Sequence, residues 1–131
     1  MRLLLDTHVA LWAIVDSPVL PTVARGMIAD PDNEVMISAA SIWEIAIKHQ
    51  ISRGRPDAMP ISGEQALEHF QAGDFRLLAI TAAHAAAVDR LPLHHRDPFD
   101  RLLVAQALVE PLRLVTHDDR LQAYSDTIIL I

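Results

Sequence analysis

Cysteine is absent from this chain of 131 residues, and its absence excludes several kinds of chemistry. Without a thiol there is no disulfide framework, no thiolate metal site and no cysteine nucleophile. Long apolar runs are absent too: the segment from Met1 to Leu5 meets Asp6 too soon for a secretory signal, and no run approaches the roughly 20 residues of a membrane helix. We therefore expect a soluble, cytoplasmic protein with no membrane segment.

Positive charge is also scarce. The formal net charge is −6 and the pI is near 5.5, which argues against a protein that simply coats nucleic acid. A metal ion would cancel much of this charge if several acids shared one site. The basic residues left to face phosphate would then be Arg53, Arg55, Arg96 and Arg101.

Aromatic residues make up only 5% of the chain, so stacking on RNA bases has little support. Trp12 and Trp43 are instead predicted to lie in the core or in a dimer interface. The apolar content of 51% and the mean hydropathy of +0.22 favour strands buried on both faces and an apolar surface kept for a partner. The length suits one domain over residues 1–131, and we expect that domain to form an oligomer.

Strand-like and helix-like segments alternate along the sequence. Apolar, strand-like runs lie at residues 2–5, 34–38, 75–80, 112–115 and 127–131. Helical patterns lie at residues 7–15, 22–29, 39–51, 64–71, 81–90 and from Pro98 onward. This alternation predicts an α/β fold, a three-layer α/β/α sandwich with a mainly parallel central sheet.

Four acids lie just past strand-like runs or in the first helical turns after them, namely Asp6, Glu44, Asp100 and Asp118. Ligands of open α/β sheets bind outside the carboxyl ends of the strands, so parallel neighbouring strands would bring these carboxylates to one rim. Two carboxylates about 5 Å apart repel by roughly 3 kcal/mol at an effective dielectric near 20. The cluster therefore needs protons or a cation, and oxygen ligands without cysteine suit Mg²⁺ or Mn²⁺.

These acids also have structural interpretations. Asp6 could cap the helix that follows it. A salt bridge from Glu44 to Lys48, four residues on, competes with a metal role, although the two can coexist. Asp97 is interpreted as the cap of the helix that begins at the next residue, which leaves Asp100 as the site residue.

The seven histidines do not form a zinc motif. His94 and His95 are adjacent, and no His-Glu-x-x-His spacing occurs. Most histidines are therefore predicted to lie at the surface. His8 and His117 are close in sequence to two of the four acids and are candidates for contacts with a carboxylate or a substrate.

Four stretches of the chain occur in a recognisable order and spacing. They are LLLDTHVALW at residues 3–12, SAASIWEIAIKHQ at 38–50, HHRDPFDRLLVAQA at 94–107 and LVTHDDRL at 114–121. In these stretches the chain resembles the PIN-domain ribonucleases, in particular the VapC-type toxins of bacterial toxin–antitoxin pairs.

The resemblance implies an acidic triad of Asp6, Glu44 and Asp100, with Asp118 as a more variable fourth acid. By the same resemblance Asp6 and Asp100 touch the metal directly and Thr116 hydrogen-bonds a site carboxylate or a water. Asp119 stands next to Asp118 and is an alternative to it. The implied protein is a single PIN domain and a Mg²⁺-dependent endoribonuclease, with Mn²⁺ as a possible substitute. The implied partners are RNA, a second copy in a homodimer, and an antitoxin whose C-terminal segment packs across or near the active site.

Three other functions deserve comparison. An aspartate-nucleophile phosphatase needs a second acid two residues after Asp6, where His8 stands. A phospho-acceptor signalling domain needs a lysine after a late strand, and there is none between Leu112 and Ile131. A non-catalytic PIN-like module for RNA binding or interaction would keep the fold without turnover, and the intact acids argue against it.

Overall fold

The computed structural model describes residues 1–131. Five strands form one sheet: β1 (Arg2–Leu5), β2 (Glu34–Ser38), β3 (Phe75–Leu78), β4 (Arg113–Thr116) and β5 (Ile129–Leu130). Their spatial order is β3-β2-β1-β4-β5, and every neighbouring pair is parallel. The predicted α/β class is confirmed, and the sheet is parallel throughout.

Six α-helices connect or flank the strands. They are α1 (Thr7–Ile14), α2 (Thr22–Ala29), α3 (Ala39–Ile51), α4 (Gly63–Ala72), α5 (Ala82–Ala87) and α6 (Pro98–Val109). Two 3₁₀ helices cover Val88–Arg90 and Asp119–Tyr124. None of these helices combines the length and the apolar character that crossing a bilayer would require.

The two faces of the sheet carry separate apolar cores, which gives the predicted three layers. Successive side chains of a strand point to opposite faces, and accordingly Leu3 and Leu5 belong to one buried cluster while Leu4 belongs to the other. The first cluster takes residues from α1, α2 and α4, and the second takes residues from α6. Since β1 contributes to both, the central strand is buried on both sides, as the short apolar run at residues 2–5 predicted.

Several element bounds differ from the prediction for identifiable reasons. β3 ends at Leu78, two residues early, because its partner β2 ends at Ser38, which caps α3 instead of continuing the sheet. β5 is shorter than predicted and pairs with β4 only over Ile129 and Leu130. The 3₁₀ helix at Asp119–Tyr124 was not predicted at all, and it follows directly on one of the four acids.

The strand order places the carboxyl end of β1 at the centre of the molecule. The chain runs from β1 outward to β2 and β3 on one side and then crosses to β4 and β5 on the other side of β1. Such a switch point opens a crevice above the strand ends. Asp6 follows β1 and Asp118 follows β4, so the chain brings these two acids to the crevice. α3 and α6 supply the other two.

A close contact between helices gives a test of this packing. A Cβ added to Gly63, at the start of α4, would lie 2.7 Å from the Cβ of Ala46 in α3. Because neither atom can rotate away, we expect Gly63→Ala to lower the free energy of unfolding by roughly 1–3 kcal/mol, measured by urea denaturation.

Gly26→Ala is the matched control, because a Cβ on Gly26 in α2 would meet nothing within 4 Å. We expect this variant to gain about 0.5–1 kcal/mol from better helix propensity. Equal stabilities of the two variants would contradict the close approach of α3 and α4.

Candidate functional site

A cleft of about 810 Å³ opens at the carboxyl end of the sheet. All four predicted acids line it: Asp6, Glu44, Asp100 and Asp118. The fold therefore brings together residues that are up to 112 positions apart in the sequence. The oxygens of each carboxylate have different partners, and these partners decide what each acid can do.

Asp6 is buried, and both of its oxygens accept a hydrogen bond. Oδ1 accepts from the backbone N–H of Val9 at 2.9 Å and so caps α1, while Oδ2 accepts from the Thr116 hydroxyl at 2.5 Å. The capping and the site interpretations of Asp6 thus hold together, and the predicted contact of Thr116 with a carboxylate is confirmed. Each oxygen keeps a lone pair, and burial raises the pKa of Asp6 above its usual value despite the hydrogen bonds.

Glu44 is buried on α3 and has one satisfied oxygen. Oε2 accepts from Lys48 Nζ at 2.5 Å, which is the predicted salt bridge between residues four apart. Oε1 is buried and has no hydrogen-bond partner, and no other buried side-chain nitrogen or oxygen lacks one. A buried carboxylate oxygen without a donor costs on the order of 1–3 kcal/mol or more, so this atom requires a partner from outside the chain.

Asp100 lies in the first turn of α6, where Asp97 caps the helix as predicted by accepting from the backbone N–H groups of Phe99 and Asp100. The pKa of Asp100 is raised to about 7, first by burial and then by the negative charges of Asp97, Asp6 and Glu44. Near neutral pH this carboxylate therefore takes up either a proton or a cation.

Asp118 differs from the other three because its oxygens are fully occupied. Oδ1 accepts from the backbone N–H and Nε of Arg120, both at 3.0 Å, and Oδ2 accepts from Arg120 Nη2 at 2.8 Å and from His95 Nε2 at 2.9 Å. The Arg120 hydrogen bonds hold the pKa of Asp118 well below its usual range. A carboxylate offers about four lone-pair positions, so Asp118 has none free for a metal in this arrangement.

Asp119, the alternative to Asp118, is exposed and begins the 3₁₀ helix. Its side chain makes no hydrogen bond or ion pair within the chain, although it lines the outer part of the cleft. The backbone N–H of Asp118 donates to Thr116 Oγ1, the same hydroxyl that donates to Asp6, so Asp118 and not Asp119 is joined to Asp6 through Thr116.

Sequence reasoning missed two residues that contact Asp118, namely Arg120 and His95. His95 was grouped with the surface histidines, but it is buried, and its Nε2 also lies 3.4 Å from Asp100 Oδ2. Its only sequence signal was its place two residues before the cap of α6. One atom from each of His95, Asp100 and Asp118 lies within 4.8 Å of the others, while Asp6 and Glu44 line the same cleft outside this group.

The other histidine and tryptophan predictions have mixed outcomes. His8 and His117 are exposed and line the cleft, and His117 Nδ1 donates to the Ile131 carbonyl at 2.8 Å. Trp12 is half-buried, and its ring contacts the rings of both histidines at the mouth of the cleft. Trp43 is 57% exposed and so is not a core residue.

The predicted phosphate-facing arginines need one correction. Arg53, Arg55 and Arg96 are exposed. Arg101 is half-buried and donates to the Pro92 carbonyl at 2.9 Å and to the Tyr124 hydroxyl at 3.1 Å, so it fixes the loop before α6 instead of facing solvent. Lys48 and Arg120 are the positive side chains that line the cleft itself.

The residues present fit a hard divalent cation. Glu44 Oε1 is buried without a donor, Asp100 requires a proton or a cation near neutral pH, and Asp6 has a free lone pair on each oxygen. A set of carboxylate oxygens without sulfur is the ligand chemistry of Mg²⁺ and Mn²⁺.

Comparisons with known proteins point to one family. The family model of the PIN domain matches residues 3–126. A curated relative, Ribonuclease VapC22 of Mycobacterium tuberculosis, is 35% identical over 124 residues, which are 92% of this chain and 90% of that protein.

Two solved structures share the fold. The VapBC2 structure from Rickettsia felis, bound to a DNA fragment from its promoter, superposes with a TM-score of 0.70 at 17% identity, covering 100% of this chain and 98% of the other. A toxin–antitoxin complex from Klebsiella pneumoniae gives a TM-score of 0.62 at 18% identity and covers 96% and 94% of the two chains.

Proposed function

Because the chain belongs to the PIN-domain family, we propose that it is a metal-dependent endoribonuclease that acts as the toxin of a toxin–antitoxin pair. The resemblance seen in the four sequence stretches is confirmed by the family match and by the 35% identical ribonuclease. The nuclease assignment follows from the same two findings. The proposal extends it to the metal, the residues and the partners.

The observation that carries the proposal is the buried Glu44 Oε1, which has no hydrogen-bond donor in a cleft that also holds Asp6 and Asp100. A fold that needed these acids only for structure would satisfy them within the chain. Here one oxygen is left without a partner and one carboxyl has a pKa near neutrality, which is expected of a site completed by a cation.

We assign Asp6 and Asp100 to direct contact with Mg²⁺ or Mn²⁺, and Glu44 Oε1 to the ion or to a water held by it. A bound ion would polarise the phosphate, lower the pKa of a bound water and neutralise charge on the leaving oxygen. Asp118, whose lone pairs are occupied, acts through water at the edge of the site only after Arg120 moves to a phosphate and frees an oxygen. Magnesium in proteins usually keeps several waters and takes one or two carboxylates, which agrees with this division.

The positive side chains of the cleft have a separate role. Lys48 and Arg120 each pair with an acid of the site, and their exposed faces place positive charge beside the position of a phosphodiester. In the proposal they orient the RNA backbone. Their pairing with Glu44 and Asp118 also reduces repulsion among the acids before the substrate arrives.

RNA as substrate and a protein antitoxin as partner are supported by the relatives. One relative is named a ribonuclease, and the solved structures are VapBC and toxin–antitoxin complexes. We propose a cytoplasmic homodimer built from single domains over residues 1–131, inhibited by an antitoxin that covers the cleft. Exposed apolar side chains such as Trp43 and Leu93 leave surface for these contacts.

Cleavage of structured cellular RNA by the purified, antitoxin-free protein tests the activity. We expect discrete cuts with Mg²⁺ or Mn²⁺, loss of cutting in EDTA, and recovery when Mg²⁺ is restored in excess, because the acids cannot position a phosphate without the cation. A single-stranded DNA of matched sequence is the control and is expected to resist cleavage. RNA that is bound but not cut by folded, metal-loaded protein would instead favour a non-catalytic RNA-binding module.

A further inference from the structure

We infer that His95 is a positioning residue of this site: a neutral histidine, locked with its proton on Nε2, that holds Asp118 by a hydrogen bond and does not bind the metal. The effect of His95 on cleavage rests on the proposed function, whereas the position of its proton is a property of the metal-free protein.

The first step is the partner of Nδ1. The backbone N–H of Asp97 donates to His95 Nδ1 at 3.0 Å. A backbone amide can only donate, so Nδ1 must present its lone pair and cannot carry a proton. A neutral imidazole has one proton, which therefore lies on Nε2.

The second step is what Nε2 faces. It lies 2.9 Å from Asp118 Oδ2 and 3.4 Å from Asp100 Oδ2. With its proton fixed there, Nε2 donates to Asp118 and has no lone pair for a cation. A histidine that binds a metal usually shows the reverse pattern, with its other nitrogen donating to a carbonyl or a carboxylate. The closeness of His95, Asp100 and Asp118 thus reflects a hydrogen-bonded group and not a set of three metal ligands.

The third step is how firmly His95 is held. Its backbone N–H donates to the Tyr124 hydroxyl at 2.9 Å, and Arg101 donates to the same hydroxyl at 3.1 Å. Arg101 also donates to the carbonyl of Pro92 in the loop before His95. The backbone of His95 is therefore anchored, while both nitrogens of its buried ring are held by hydrogen bonds, and such support keeps a site residue within a narrow range of orientations.

The consequence concerns Asp118. His95 and Arg120 share its Oδ2, but Arg120 is exposed whereas His95 is buried. When phosphate draws Arg120 away, His95 is the side-chain donor that keeps Asp118 oriented toward the acids. Loss of such a supporting hydrogen bond typically costs 10- to 100-fold in metal affinity or activity.

The direct test is nitrogen-15 NMR of the wild-type protein, using long-range correlations of the imidazole rings. We expect His95 to show an unprotonated Nδ1 and a protonated Nε2 without metal and with saturating Mg²⁺. A protonated Nδ1 would overturn the inference, and so would scalar coupling between Nε2 and bound ¹¹³Cd²⁺. This readout does not require RNA cleavage, so failure of the proposed function and failure of this inference are distinguishable.

Variants test the consequence. We expect His95→Ala to raise the Mn²⁺ concentration for half-saturation, measured by calorimetry, by roughly 10- to 100-fold, and His95→Gln to recover part of this loss because its amide can donate from a similar position. His94→Ala is the matched control, since His94 is exposed and contacts the Tyr124 ring but no acid. Unchanged affinity in a folded His95→Ala protein would overturn the inference, as would a Gln variant no better than Ala.

Discussion

Asp100→Asn is expected to abolish detectable RNA cleavage, a loss of at least about 10³-fold, while making the metal-free protein more stable. The loss follows because the amide is neutral and cannot hold a cation as the carboxylate does, and several kcal/mol of charge stabilisation disappear with it. The gain follows because burial and three nearby acids oppose the charged form of Asp100. The measurements are initial cleavage rates and thermal unfolding in EDTA.

The stabilisation should depend on pH in a defined direction. The pKa of Asp100 rises from 3.8 in the unfolded chain to about 7 in the folded one, so between these values the folded state holds a proton that the unfolded state has released. The free energy of unfolding then falls as the pH rises from about 4 to about 7, by up to roughly 4 kcal/mol in total. The advantage of Asp100→Asn over wild type in EDTA should therefore be small near pH 4 and largest above pH 7.

Asp119→Asn is the matched control for Asp100→Asn, because Asp119 is an exposed acid that also lines the cleft. We expect near wild-type cleavage and stability from it. A strong loss of cleavage in Asp119→Asn, with little loss of cleavage in Asp118→Asn, would show that Asp119 has the role assigned to Asp118. A difference in melting temperature between wild type and Asp100→Asn that stays the same at every pH would contradict the electrostatic account of Asp100.

Glu44→Gln is expected to lower cleavage by about 100-fold at limiting Mg²⁺ without destabilising the metal-free protein. The substitution removes the charge that supports the cation, which accounts for the loss. It also replaces a buried carboxylate that has an oxygen without a donor, so the fold loses no satisfied interaction except the contact with Lys48. Cleavage as a function of Mg²⁺ concentration and urea denaturation in EDTA measure the two effects.

Lys48→Met is the informative counterpart of Glu44→Gln. It removes the one hydrogen-bond donor of Glu44 and leaves the buried carboxylate unpaired. The side chain of Lys48 is 40% exposed, so its replacement by Met removes little other packing. We expect the metal-free variant to lose roughly 1–2 kcal/mol, part of which Mg²⁺ restores. If Glu44→Gln proved as destabilising as Lys48→Met, Glu44 would be a structural residue and not part of a cation site.

The sequence predicted the layers of the fold because apolar periodicity reports burial directly. The run from Leu3 to Leu5 is apolar at every position, and each of these side chains is fully buried in one of the two cores. Where the prediction was wrong, a partner strand decided the outcome: β3 stops at Leu78 because β2 stops at Ser38. Such limits depend on pairing between distant segments, which a single segment does not encode.

The candidate site was predictable in its acids but not in their hydrogen bonds. All four acids could be chosen because strand ends and helix starts are recognisable in the sequence. The resemblance added their ranking, a triad of Asp6, Glu44 and Asp100 with Asp118 as a more variable fourth acid. His95 and Arg120 could not be chosen, since their roles arise from contacts with Asp118 over 23 residues and from a turn at a 3₁₀ helix that periodicity does not reveal. Only the side-chain geometry shows which carboxylates have oxygens free for a cation and which have all of their oxygens hydrogen-bonded within the chain.

A titration of the purified protein with Mn²⁺, in which bound ion is counted by electron paramagnetic resonance and RNA cleavage is followed in the same samples, tests the central claim most directly. The account predicts that cleavage rises in proportion to the ion bound, and that Asp100→Asn loses both together while staying folded. Full cleavage with no bound ion, or unchanged binding and cleavage in Asp100→Asn, would contradict a metal-dependent nuclease site in this cleft.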